Sequence, residues 1–186
     1  LYIFGTGNPT PGYTGQGRMG DNLFTGCLMA VHVDTGKMVW YYQATPHDTH
    51  DWDAAQTPVL LDGVIDGQTR KLLAQANRNG YFFLLDRTNG KHVLTTKHIE
   101  SLNWTKGLNA NGQPIPDPAK EATVPGTLVS PDTNGATNWP PPSFSPDTAS
   151  SSTFRSRATL QLVRSSSRSS RFPSSKLRSM DRSSRS

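Results

Sequence analysis

One stretch of this chain occurs twice in the same register, and that repetition restricts the fold more than any other feature. Ala30-Val-His-Val-Asp-Thr-Gly-Lys-Met-Val-Trp40 matches Leu84-Leu-Asp-Arg-Thr-Asn-Gly-Lys-His-Val-Leu94. Each copy has an apolar start, a polar residue two positions on, then Gly-Lys, then an apolar side chain three residues after the lysine. Physically this is a strand, a tight turn at the glycine, and a return strand whose last side chain docks on a neighbouring sheet. Around the two copies, β-rich runs at 1–4, 28–33, 38–43, 58–61, 71–75, 81–85 and 92–95 alternate with GTGNPTPG, DTGK, DGVIDG, NRNG and DRTNGK. The residues of those connectors tolerate tight turns. No window has the 3.6-residue apolar period of a helix. Many short strands in such order imply a sandwich, a barrel or a propeller. A period of roughly 40–55 residues is that of four-stranded propeller blades. Two copies do not close a ring, so the expectation is a piece of a longer propeller, about two to three blades.

Composition matters chiefly for where the charge lies. The net charge is +5 over 186 residues, a value compatible with a nucleic-acid partner. Residues 149–186 hold 9 of the 19 Lys and Arg but 1 of the 14 acids, leaving 10 basic and 13 acidic residues in 1–148. The basic character therefore belongs to a Ser/Arg-rich tail. Two readings of that tail are open. It is an RNA-binding Arg/Ser segment, or the product of a reading-frame shift. In codon terms, one G restored before Ala149 would give Gly followed by a largely apolar strand. The expectation adopted is a shifted, disordered segment over 149–186 with no nucleic-acid partner, and a folded portion over 1–148. Residues 101–148 read as an excursion between blades, ending where a strand begins at Ser143-Phe144. No run of about 18 apolar residues is present to span a membrane, and no leader-type segment precedes the first strand. The single Cys27 excludes an internal disulfide framework.

The densest polar constellation is Pro46-His-Asp-Thr-His-Asp-Trp-Asp53. Extended backbone would place His47, Thr49, Asp51 and Asp53 on one side and Asp48, His50 and Trp52 on the other. Asp51 and Asp53 would then face a common cation, and without it two close carboxylates would repel. His47 and His50 lack further ligands for a zinc or iron site; their expected role is to hydrogen-bond and position Asp48 and Asp51.

Several motifs occur together in order: Gly5-Thr-Gly-Asn-Pro9, Gly20-Asp-Asn22, Thr35-Gly-Lys37 with Trp40, Pro46-His-Asp48, Arg78-Asn-Gly80, Leu85-Asp-Arg-Thr-Asn-Gly90 and Gly135-Ala-Thr-Asn-Trp139. The set resembles the middle of the pyrroloquinoline-quinone (PQQ) dependent alcohol dehydrogenases, the methanol and ethanol dehydrogenases among them. The resemblance implies an all-β chain forming part of an eight-bladed β-propeller with W-shaped four-stranded sheets. It implies PQQ and a Ca²⁺ or lanthanide ion as cofactors, a small alcohol as substrate, a cytochrome-type electron acceptor and a periplasmic location. The reaction implied is oxidation of the alcohol to an aldehyde or ketone by hydride transfer to the quinone. Residue by residue it implies Asn8, Asp51 and Asp53 as metal ligands, Asp51 as the general base with Asp53 as its rival, and Arg78 as the cofactor-binding cation. His32 stands where the family has an acid or an amide, which questions one turn contact. Trp139 is expected as a packing anchor. The other function open to a chain of this repeat class is a non-catalytic scaffold, because fold does not set function.

Overall fold

The computed structural model of the protein describes residues 1–145 and 150–152. Strands β1 (Tyr2–Gly5), β2 (Cys27–Val31) and β3 (Met38–Gln43) form an antiparallel sheet in chain order. Strands β4 (Val59–Ile65), β5 (Gln68–Ala76), β6 (Tyr81–Asp86) and β7 (His92–Lys97) form a complete four-stranded antiparallel blade, also in chain order. Two short hairpins follow, β8 (Thr105–Leu108) with β9 (Pro114–Pro116), and β10 (Ser143–Ser145) with β11 (Ser150–Ser152). The only helical turn among the described residues is a 3-10 turn at Pro118–Lys120. The all-β expectation holds, and β10 begins at the expected serine.

The repeat is structural as well as sequential. Ala30 pairs with Trp40 and Leu84 with Leu94, and each strand pair has its irregularity at the next residue. In both turns the polar residue's N–H donates to the lysine carbonyl, His32 to Lys37 at 2.8 Å and Asp86 to Lys91 at 2.9 Å. In both, the glycine N–H returns to the polar residue's carbonyl at 2.8 Å. Side chains separate the copies. Asp86 Oδ1 accepts from the Thr88 N–H (2.8 Å) and hydroxyl (2.5 Å). His32 reaches only towards Asp34, at 3.8 Å. The substitution at 32 thus costs one side-chain cap and leaves the backbone turn intact.

Docking between sheets is carried by Trp40. Its indole N–H donates to the Arg87 carbonyl at 3.1 Å, and its ring lies on Gly90, where a Cβ would stand 2.7 Å from it. Gly90 has φ +72°, so the next blade's turn needs glycine for backbone and for clearance alike. Strand β6 shows why this blade is buried on both faces. Tyr81, Phe83 and Leu85 join Leu28, Trp40, Tyr42, Trp52 and Trp104 in one core. Phe82 and Leu84, pointing the other way, join Leu61, Leu72 and Ala74 in a second, against which Phe144 packs. A strand sandwiched between neighbouring sheets reads as a continuous apolar run, not an alternating one.

Two expectations are corrected. DGVIDG is not one turn, because β4 runs through Asp62-Gly63 to Ile65 and turns at Asp66-Gly67 (φ +51° and +75°). The excursion over 101–142 contains the β8–β9 hairpin, turned by the Asn109 carboxamide accepting from Asn111 and Gln113 N–H groups. Ser150–Ser152 pair with β10; the expectation for the 149–186 segment otherwise lies outside the described residues.

Candidate functional site

The loops that follow β1, β3 and β5 meet at one end of the two sheets, and all four sequence-selected residues are in them. The Gly-Thr-Gly turn after β1 brings backbone against backbone. A Cβ on Gly5 would stand 1.8 Å from the Ala54 carbonyl oxygen. Ala54 donates to the Thr6 carbonyl at 2.9 Å, and the Asn8 N–H donates to Asp53 Oδ1 at 2.7 Å. Asn8 spends its own Nδ2 on the Pro9 carbonyl (3.0 Å), which leaves the amide oxygen as the atom available to a ligand.

The 46–53 loop is organised by Asp48. Its buried carboxylate accepts from the N–H groups of His50 (2.9 Å) and Trp52 (2.8 Å). Burial raises its pKa above the usual carboxylate value, with those two N–H donors and the His50 ring opposing. The loop is not evenly extended, since His47 (φ +49°) and Asp51 (φ +64°) are left-handed. Asp51 Oδ2 accepts from the Tyr13 hydroxyl at 3.2 Å. Gly12 lies between Asn8 and Asp51: a Cβ there would be 3.1 Å from Asn8 Nδ2 and 3.9 Å from Asp51 Oδ1. Partial burial, then the Asp51 charge, raise the Tyr13 phenol.

The histidine rings do not position the acids as expected. His47 Nδ1 contacts the Gly20 carbonyl at 2.6 Å. His50 stacks on Trp52 (centroids 4.4 Å apart, 11° between planes), with Nε2 on the Lys120 carbonyl at 3.0 Å. Only the His50 backbone touches Asp48.

Arg78 completes the group. Nη1 donates to Asp53 Oδ2 at 2.9 Å, in an ion pair whose side chains are 11% and 30% exposed. Nη2 donates to the Thr133 carbonyl, while Nε is buried without a partner among the described residues. The Arg78 backbone is clamped by Gln56 Oε1 (3.3 Å to its N–H) and by the Ala136 N–H (2.9 Å to its carbonyl). Trp52 Nε1 donates to the Asp132 carbonyl at 3.0 Å, so the long excursion after β7 straps both the acidic loop and the arginine turn. Trp139, expected as a packing anchor, is instead 73% exposed.

A row of buried amides supports the site and was not singled out from the sequence. Gln75 Nε2 donates to the carbonyls of Ala54 (2.9 Å) and Gln56 (2.7 Å). Asn77 donates to Gln75 at 3.0 Å, and Asn79 donates to Ala44 O and Thr45 Oγ1, each at 3.0 Å. The signal was present: amides at 75, 77 and 79 alternate along the end of β5, just after its apolar Leu72-Leu73-Ala74, and along its exit.

Among the described residues no group of three His, Cys, Asp or Glu side chains is arranged to hold a metal. What converges is two carboxylates and one amide, all hard oxygen donors, with an arginine beside them. Antiparallel sheets packed against each other through one core, with such a cluster on the loops at one end, define part of a β-propeller. The chain belongs to the PQQ family of glucose, ethanol and alcohol dehydrogenase β-propeller domains, which it matches over residues 1–125. It is 43% identical over 155 residues to the quinohemoprotein alcohol dehydrogenase ADH-IIG of Pseudomonas putida, covering 80% of this chain and 21% of that one. It is 40% identical over 131 residues to the 1-butanol dehydrogenase (cytochrome c) of Thauera butanivorans, covering 69% and 18%. A europium-containing methanol dehydrogenase superposes with a TM-score of 0.75 at 30% identity, covering 80% of this chain and 26% of that structure. The chain thus spans about a fifth to a quarter of the length of these relatives.

Proposed function

We propose that the chain supplies the base, a metal-ligand set and the cofactor arginine to a PQQ-dependent dehydrogenase that oxidises a small alcohol to an aldehyde or ketone. The observation that carries this reading is the convergence of Asn8, Asp51, Asp53 and Arg78 from three separate loops onto one end of the sheets. A non-catalytic scaffold gives no reason for a buried arginine fork and two acids to be assembled there. Asn8, Asp51 and Asp53 suit a hard cation, which takes oxygen ligands and usually six to eight of them; further oxygens would come from beyond this cluster. The europium in one structural relative and the two carboxylates here together favour a lanthanide as well as Ca²⁺. Bound PQQ would supply the redox chemistry, accepting the two electrons that the alcohol loses.

The chain's own residues would then divide the work. Asp48 is committed to the loop through two N–H bonds. Asp53 has one oxygen on Asn8 N–H and the other on Arg78. Among the described residues Asp51 has only the Tyr13 hydroxyl on one oxygen, which supports it over Asp53 as the carboxylate that removes the substrate hydroxyl proton, since a base needs an oxygen within hydrogen-bond reach of that proton. Arg78 would donate to adjacent carbonyl oxygens of the quinone, as its rigid fork suits. A cytochrome-type acceptor is supported by the name of the Thauera relative, and a periplasmic location belongs to the same proposal. The test is Asp51→Asn in a complete propeller containing this chain, reconstituted with PQQ and Ca²⁺ or La³⁺. Dye-linked alcohol oxidation should fall by roughly 10²–10⁴-fold, the usual contribution of a general base. Undiminished turnover in Asp51→Asn, with the loss appearing in Asp53→Asn, would move the base; undiminished turnover in both would end the reading.

A further inference from the structure

We infer that Arg78 and a bound multivalent cation compete for the Asp53 carboxylate, so that cation binding releases Nη1 of Arg78 for a second ligand. This rests on the reading of Asn8, Asp51 and Asp53 as a hard-cation site.

Both Asp53 oxygens are engaged, Oδ1 by the Asn8 N–H at 2.7 Å and Oδ2 by Arg78 Nη1 at 2.9 Å. A carboxylate has about four lone-pair sites, so hydrogen-bond capacity alone does not exclude a metal. Charge does the discriminating. A guanidinium at that distance already neutralises Asp53 and repels an incoming cation, and the pair is sheltered enough for salt to screen it weakly. The base of Arg78 is fixed and Nη2 is held on the Thr133 carbonyl, so among the described residues Asp53 is the partner that occupies Nη1. The backbone is clamped by Gln56 and Ala136, and a Cβ on Gly135 would sit 2.8 Å from both Arg78 Cβ and its carbonyl oxygen. Nε is already unpartnered among the described residues. Once Asp53 turns to a cation, Nη1 is freed, and with Nη2 held on the Thr133 carbonyl the guanidinium plane stays fixed, so Nη1 presents its N–H donors to a ligand oxygen. Thermodynamic reciprocity then requires that such a ligand strengthen cation binding by the same factor. The cation and the quinone become cooperative through one side chain.

The experiment uses Tb³⁺ alone as probe on a complete propeller containing this chain, without PQQ, read by luminescence sensitised by the aromatic residues at the site. Arg78→Met should bind Tb³⁺ more tightly than wild type by about tenfold, within the usual range of coupling between sites. Arg78→Lys retains the charge and should stay within about threefold of wild type, on the same scale. Asp53→Asn should weaken binding and abolish the gain from Arg78→Met in the double variant. A gain of affinity does not arise from a variant that fails to fold. As a measurement on the wild-type propeller, La³⁺ should increase phenylglyoxal labelling of Arg78, mapped by mass spectrometry of the peptide. Equal or weaker Tb³⁺ binding by folded Arg78→Met, or unchanged Arg78 labelling, overturns the competition while Asp51→Asn still abolishes binding. If Asn8→Ala and Asp51→Asn both leave Tb³⁺ affinity unchanged, the cation site itself is wrong and the coupling falls with it.

Discussion

The two copies of the repeat end in unlike side chains, and that asymmetry gives a prediction with an internal control. Trp40 is 6% exposed, rests on Gly90 and donates to the Arg87 carbonyl, whereas its counterpart Leu94 is 39% exposed. Trp40→Ala deletes a ring at the junction of two sheets, for which a buried Trp→Ala change costs about 3–5 kcal/mol. It also strands the Arg87 carbonyl, adding about 1 kcal/mol or somewhat more. The expected loss is about 4–6 kcal/mol, a large share of a typical domain's stability. Leu94→Ala removes a side chain already in contact with water and should cost no more than about 1 kcal/mol. Urea denaturation followed by far-UV circular dichroism measures both. Gly90→Ala adds a second arm, because the new methyl would collide with the Trp40 ring from a left-handed backbone. Part of its cost should vanish in the Trp40→Ala background, giving a coupling energy of at least about 0.5 kcal/mol in a double-mutant cycle. Equal destabilisation by Trp40→Ala and Leu94→Ala, with additive behaviour at Gly90, would refute inter-sheet docking through Trp40.

Two further perturbations probe what the cores enclose. Asn79 binds Ala44, Thr45 and the Tyr81 N–H, all from a buried position, so Asn79→Ala should cost about 2–4 kcal/mol in stranded partners. Hydrogen exchange at the Tyr81 amide should accelerate with it, and unchanged exchange would deny the amide its supporting role. Cys27 is buried and its thiol is pushed up to about 12 by that burial, against an ordinary value of 9.0. Since the folded state keeps a proton that the unfolded chain releases, this contribution is intact below pH 9 and is lost as pH rises towards 12. At the top of that window it amounts to about 4 kcal/mol. Below pH 9 the native thiol should resist iodoacetamide that alkylates the unfolded chain, and the Cys27→Ala variant should show a smaller alkaline loss of stability; rapid native labelling would contradict the burial.

What was legible in the sequence depended on whether the signal was local. The turns at Gly36 and Gly90 were visible because a positive φ restricts the residue type at one position. The blade followed because two such turns recur with their flanking strands in register. Asn8, Asp51, Asp53 and Arg78 were visible as a set of motifs, but their mutual arrangement was not. The even extension expected for residues 46–53 fails at Asp51, which is left-handed between the two N–H groups, two and four residues on, that the Asp48 side chain accepts in a local turn. Asp62-Gly63 misled for the opposite reason. The dipeptide has turn chemistry, yet the register with β5 extends through it, and Asp62 faces outward to pair with Arg87 at 2.8 Å.

The histidines show the limit of reading chemistry from density alone. Three acids and two imidazoles in seven residues resemble a cluster in which every member acts on the next. Folded, the members are sorted by what lies across the chain. His47 faces a carbonyl of the 14–22 loop, and His50 is sandwiched by the Trp52 ring and a carbonyl from the excursion after β7. Asp48 is taken by backbone, and Asp53 by an arginine 25 positions away. Of the three acids, Asp51 alone meets nothing stronger than a phenol among the described residues. A carboxylate left that lightly bound, beside two that are each held on both oxygens, is the one to which the proposed function gives the substrate hydroxyl. Its availability is a product of the surrounding commitments, and a substitution that loosened Asp48 or Trp52 would disturb it without touching it.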